Sequence, residues 1–151
     1  MSKWRPSQTI VFKVLALIRR RSELLATSVL DDDGRLIGVR PPGGTIHFGE
    51  SREAALVREL DEELDCKATI TGPWITLENI YRHEGFIGHE FILATPVSID
   101  NPTLYNSDEI VIKESSGSKV ISRWYDLSDL SRSAPPLLPK GLWDHVSAIY
   151  C

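Results

Sequence analysis

Cysteine is scarce in this chain, with Cys66 and Cys151 the only two. Two thiols make neither a four-ligand metal quartet nor the disulfide framework of a small secreted domain, so free thiols in a cytoplasmic protein are the expectation. Long hydrophobic runs are missing as well. The longest, Thr9 to Ile18, is interrupted by Lys13 and followed by Arg19, Arg20 and Arg21. It is too short to span a bilayer, lacks a small-residue cleavage site and carries its charge on the wrong flank for a signal peptide, so no membrane partner is expected. Basic excess is also absent. A net charge of −4 and a pI near 5.6 leave no electrostatic footprint for a nucleic-acid polymer. No internal repeat, low-complexity tract or linker divides the sequence.

What remains is an ordinary globular composition, 42% hydrophobic and 25% charged over 151 residues, which predicts one domain over residues 1–151. After a loose terminus at Met1 to Gln8, β-branched and aliphatic residues predict strands at Thr9 to Ile18, Glu23 to Leu30 and Arg35 to Arg40. The arginines 19 to 21 read as a solvated hairpin tip, and Asp31-Asp32-Asp33-Gly34 as a turn. Pro41-Pro42-Gly43-Gly44 reads as a turn whose glycines let backbone approach a ligand. Further strands are expected at Lys67 to Ile70, Trp74 to His83, Phe86 to Val97 and Val120 to Leu127, the middle pair forming a hairpin around Glu84-Gly85. Asp100 to Ser118 reads as a long polar loop with a short strand at Ile110 to Lys113. Ser128 is expected to start one helical turn, and Gly141 to Tyr150 a last helix. Strands flanking helices make a mixed α/β domain.

The most informative stretch is Gly44 to Cys66, GTIHFGESREAALVRELDEELDC. Ser51 is placed to cap a helix whose first turn carries Glu53. Leu56, Leu60 and Leu64, with Val57 beside them, form its apolar stripe. Glu59, Glu62 and Glu63 share another face at spacings where like charges cost about 0.2–0.5 kcal/mol per pair. A solvated acidic face is one account of this. A hard divalent cation is the other, since Mg²⁺ and Mn²⁺ prefer carboxylate oxygens and Mg²⁺ commonly completes its shell with substrate phosphates.

The spacing favours the second account. Gly44, Glu50, Arg58, Glu59, Leu60, Glu62 and Glu63 fall in the register of the Nudix box, which the stretch resembles: Gly, five residues, Glu, seven residues, then Arg-Glu-hydrophobic-x-Glu-Glu-x-Gly-hydrophobic. Asp65 stands where the family has glycine and Cys66 where it has an aliphatic residue. That glycine would sit past the helix end in left-handed backbone, which Asp tolerates, so some helix stability is expected to be lost and no ligand.

The resemblance implies the Nudix fold, an α/β/α sandwich with a mixed central sheet and a loop-helix-loop around the box. It implies a metal-dependent hydrolase, using Mg²⁺ or Mn²⁺, that acts on a nucleoside diphosphate linked to another group, such as a nucleoside triphosphate. By the same resemblance Glu59 and Glu63 are metal ligands, Glu62 binds directly or through water, and a backbone carbonyl near Gly44 can reach the metal. Glu50 and Arg58 then lock the loop to the helix and aim those ligands. The water-activating base is Glu62 inside the box or one of Asp108, Glu109 and Glu114 beyond it. His47 and His89 read first as structural, and Phe48, Tyr81, Phe86 and Trp124 as core residues that could alternatively stack a base. Many relatives are homodimers, which one sequence does not decide. Two rival functions are a Nudix-fold module that binds a nucleotide without turnover and an acidic helix docked by a protein partner.

Overall fold

The computed structural model describes residues 3–114 and 116–151. Met1 and Ser2 of the expected loose terminus, and Ser115 of the expected loop, lie outside the described residues.

Among the described residues, ten strands form two five-stranded sheets. In the first, β1 (Ile10–Leu17) lies between β5 (Gly43–Thr45) and β8 (Phe86–Ile99), while β6 (Ala68–Ile70) and β7 (Ile75–His83) both pair with β8. This sheet is mixed: β1 runs parallel to β8, with Lys13 opposite Ile92, and β7 and β8 form an antiparallel hairpin. Glu84 and Gly85 turn that hairpin at φ 52° and 83°, the left-handed pair that suits the twist of the strands. In the second sheet β3 (Glu23–Leu30) pairs with β2 (Arg19–Arg20), β4 (Leu36–Arg40) and β10 (Lys119–Asp126), and β9 (Glu109–Lys113) extends β10.

Alternation along β1 and β3 divides the interior. Val14, Ala16, Ile18 and Leu25 pack with Ala55, Leu56, Leu60 and Leu64 of helix α1 (Arg52–Leu64). Leu15, Leu17, Leu24 and Ala26 face the other way, into a cluster holding Leu127 and Leu130 of α3 (Leu127–Ser131) and Leu142 and Val146 of α4 (Leu142–Tyr150). The sheets are thus covered on both faces, which is the α/β/α sandwich of the Nudix fold. Each fully buried leucine of α1 contributes about 1.5–3 kcal/mol through removal from water, so the acidic helix is held by its opposite face. Val57, expected in the stripe, is 42% exposed, and Ala55 takes its place. The helical step of 100° carries position 57 past the edge of a stripe centred on Leu56 and Leu60.

Four other expectations change. Gly43 and Gly44 belong to β5, pairing with Leu15 and Val14, and at Gly43 the close pairing to β1 leaves no room for a side chain: a Cβ there would run into the Val14 carbonyl. The loop expected from Asp100 onward holds a helix that was not foreseen, alongside the strand that was. Asn101 caps α2 (Pro102–Tyr105), with Pro102 in the first turn, and Ile110 and Ile112 alternate inward along β9 to reach the cluster under α1. The short helix α3 is capped by Asp126, whose Oδ1 accepts from the Ser128 N–H at 2.8 Å, so Ser128 lies inside it. Nor are the arginines 19 to 21 a merely solvated tip. Arg20 lies over the Trp124 ring, pairs with Glu23 at 3.0 Å and donates to the carbonyls of Tyr105 and Ser107, fastening α2 to the second sheet.

Candidate active site

The box helix starts where the Ser51 hydroxyl accepts the Ala54 N–H at 3.1 Å. It ends at Asp65, which adopts φ 52°, ψ 49° and donates its N–H to the Asp61 carbonyl at 3.0 Å. Asp65 therefore adopts the left-handed conformation that glycine most often supplies at a helix end. Cys66 follows into the core, where burial pushes its thiol up to about 11 and leaves it unreactive.

Arg58 organises the charged face. Its Nε and Nη2 grip the two oxygens of Glu50 at 2.7 and 2.9 Å, and Nη2 also donates to the Thr45 carbonyl at 3.0 Å. Nη1 reaches Glu59 Oε1 at 3.0 Å and Glu62 Oε2 at 3.4 Å. One guanidinium thus joins the strand, the loop and the helix, in the bidentate geometry that makes such pairs directional. Its bonds, with the His47 N–H, hold the Glu50 carboxyl down at about 2, and they raise the arginine further above its ordinary range.

Gly44 and Glu59 meet across the loop. A Cβ on Gly44 would lie only 2.3–2.4 Å from the Glu59 carboxylate atoms, so only glycine permits this seat. Glu63 lies one turn on from Glu59. Burial, the neighbouring Glu59 carboxylate, and the charges of Glu114 and Glu62 together push the Glu63 carboxyl up to about 9. Partly buried carboxylates crowded together in this way form a donor set that suits a hard divalent cation. Gly44 and Glu63 open onto a cleft of about 400 Å³, which Lys13, Arg40, Ile112 and Glu114 also line.

The remaining candidates separate by position. Asp108 is 94% exposed and pairs with Arg20, and Glu109 pairs with Arg123, so of the three acids beyond the box Glu114 alone lines the cleft. The His47 N–H donates to Glu50, and His89 pairs with Glu78 at 2.8 Å and stacks on Phe91. Phe48 is fully exposed beside the box and Phe86 is half exposed beneath Arg5, so neither fills the core. Trp124 does, stacked with Tyr105 and donating from its indole to the Ser107 carbonyl at 2.8 Å. Tyr81 lines a second, larger cavity.

Lys13, Arg40, Asn79 and Glu90 were not anticipated as site residues. Glu90 is 2% exposed on β8; Lys13 Nζ lies 3.3 Å from one of its oxygens, and Asn79 and Arg40 donate to the other at 3.1 and 3.4 Å. A signal was present for two of them, since Lys13 is the one charged residue of β1 and Glu90 the one carboxylate of β8. Among the described residues, the one group of three His, Cys, Asp or Glu side chains with all ligating atoms within 4.8 Å is Asp32, His83 and Glu84, a candidate metal-ligand cluster. It lies apart from the box on the rim of the larger cavity, and Arg5 already grips both Asp32 oxygens at 2.8 and 3.1 Å.

The architecture resembles that of solved structures. The solution structure of the E. coli ORF135 protein superposes with a TM-score of 0.61 at 21% identity, covering 93% of this chain and 90% of that one. A NUDIX hydrolase from Nitrosomonas europaea gives 0.59 at 16%, covering 93% and 88%. The C. elegans Ap4A hydrolase gives 0.58 at 19%, covering 95% and 100%. At these identities the likeness establishes the fold. A search of curated protein sequences returns no match. The sequence model described as the NUDIX domain matches residues 9–146, nearly the whole chain and all of the box. Family match, sandwich architecture and box geometry agree: the chain belongs to the NUDIX family and is a metal-dependent hydrolase of phosphoanhydride bonds.

Proposed function

We propose that the enzyme acts on a nucleoside diphosphate linked to a further group, a nucleoside triphosphate or a compact relative of one, releasing a nucleoside monophosphate. The observation that carries this reading is the Glu59 carboxylate seated against Gly44, one turn from Glu63, at the mouth of a cleft that Lys13 and Arg40 also line. Glu59 and Glu63, with Glu62 and the Gly44 carbonyl, would hold Mg²⁺ or Mn²⁺. The ion, when bound, supplies neutralisation of the phosphate oxygens and lowers the pKa of the attacking water. The chain's own contribution is positioning: Arg58 and Glu50 keep the helix and the strand in register, so the carboxylates need not reorganise during reaction.

Two carboxylates are suited to take the proton from water. Glu62 is held loosely by Arg58 and is half exposed, whereas Glu114 faces Glu63 across the cleft. The position of Glu114 favours it as the base, with Glu62 serving the metal. The test is a panel of nucleoside triphosphates, dinucleotides and nucleotide sugars incubated with Mg²⁺, with product identified by chromatography. Turnover that Glu63→Gln abolishes supports the reading. No turnover of any of them by the wild type, or turnover unchanged in Glu63→Gln, overturns it. Comparing Glu62→Gln with Glu114→Gln across pH assigns the base, because the variant lacking it loses the acidic limb of the rate profile.

A further inference from the structure

The larger cavity, about 600 Å³, adjoins the 400 Å³ cleft, and the two share Trp4, Val29 and Arg40 as lining. Its character differs from that of the cleft. Tyr81 lies flat across the β7–β8 pair, over Gly88, where any Cβ would displace the ring. Leu30 and Ile37 expose apolar surface beside it, and Asn79 and Glu90 form a polar floor. An aromatic plate, apolar walls and a few convergent polar groups make a site for a flat, partly polar ligand.

Arg40 stands between the two spaces with most of its hydrogen-bonding capacity unused. Among the described residues its guanidinium makes a single side-chain hydrogen bond, the long one of 3.4 Å to Glu90. Lys13 leans on the other oxygen of the same carboxylate, which has no hydrogen bond of its own. Two cations therefore share one buried anion, and both line the cleft that holds Gly44 and Glu63. The uncompensated positive charge faces the place where phosphate oxygens would lie if Glu59 and Glu63 hold the metal. A planar fork of free N–H groups is well matched to phosphate.

We propose that Arg40, with Lys13 and with Glu90 as their common counter-ion, is a phosphate clamp that makes the two spaces one site. The phosphates run from Gly44 and Glu63 past Arg40, and the base of the nucleotide enters the Tyr81 cavity. This deepens the function proposed above and rests on its assignment of the metal side. On this reading the nucleotide is gripped at both its phosphates and its base, so that pyrophosphate alone fills half the site.

The test is calorimetric binding of α,β-methylene nucleoside triphosphates and of inorganic pyrophosphate, each with Mg²⁺, to the full chain. Arg40→Met is expected to weaken both classes of ligand by about 10- to 100-fold, the scale of a lost charged hydrogen bond. Tyr81→Ala is expected to weaken the nucleotides and leave pyrophosphate unchanged. Arg40→Lys keeps the charge without the fork and should fall between. Should a variant fail to fold, the labelled wild type provides the reading: the Arg40 guanidinium resonance shifts on adding pyrophosphate and Mg²⁺, and an unmoved resonance overturns the clamp. Folded Arg40→Met with wild-type affinity overturns it too. Turnover with unchanged kcat/KM in Arg40→Met sinks the clamp and spares the hydrolase. Binding lost in Arg40→Met, in a wild type that turns over nothing, does the reverse.

Discussion

Replacing Gly44 with alanine adds a single methyl group at the point where the loop meets the box helix. Gly44 has no left-handed backbone to protect, and its strand pairing with Val14 uses only main chain, so alanine is acceptable to the fold itself. The methyl group lands on the Glu59 carboxylate. To regain ordinary contact the carboxylate must retreat by roughly 1 Å, and misplacement on that scale costs about 10²-fold in rate, or about 2.7 kcal/mol of barrier. The hydrogen bond of 3.0 Å between Arg58 and Glu59 is disturbed at the same time. The expected signature is a split: metal-free Gly44→Ala melts within a few degrees of wild type, its stabilisation by added Mg²⁺ is reduced, and kcat falls by about two orders of magnitude. Scanning calorimetry with and without Mg²⁺, paired with initial rates on a substrate found in the panel above, measures all three. A variant with wild-type rates and a wild-type Mg²⁺ response would refute the view that this seat places a metal ligand.

Other changes probe separate parts of the account. Because the Glu63 carboxyl titrates at about 9 in the folded chain, above the ordinary 4.5, the fold binds that proton more tightly than the unfolded chain does. Its stabilising effect is complete below pH 4.5 and is lost as pH rises towards 9. In EDTA, wild type should therefore lose melting temperature over that range relative to Glu63→Gln; parallel curves would refute the crowding. Asp65→Gly should relieve the cost of left-handed backbone at φ 52° and gain up to about 1 kcal/mol, or about 2–4 °C, without altering kcat. A fall in melting temperature would mean that the Asp65 side chain contributes something its conformation does not reveal. Leu60→Ala opens a cavity under the box helix and should cost about 2–5 kcal/mol, lowering the melting temperature by roughly 5–15 °C; a loss below 1 kcal/mol would show that α1 is not anchored through this face.

What could be read along the chain was whatever local spacing determines. The helix at Arg52–Leu64, its Ser51 cap, its leucine stripe and its three glutamates on another face all follow from a period of 3.6 residues. The hairpin at Glu84-Gly85 and the strand at Glu23–Leu30 follow equally from turn chemistry and side-chain type. The errors fell where short polar segments owe their form to distant partners. Gly43 and Gly44 became a strand because β1 lies alongside, and Pro102–Tyr105 became a helix, tethered by Arg20, inside a stretch expected to be loop apart from the strand that formed as β9. Polarity marked both as loops, since composition records no neighbours.

Local spacing was enough to reveal the chemical groups: a run of carboxylates, and an arginine to hold them, at intervals that a single helix and its leading loop bring together. Only the tertiary structure decided how that chemistry is addressed. It put the Glu59 carboxylate on Gly44, chose Glu114 over Asp108 and Glu109 as the acid facing the cleft, and gathered Lys13, Arg40 and Glu90 from three strands around one buried charge. Contacts between residues far apart in the chain depend on sheet register and packing, and these are settled when the whole core closes.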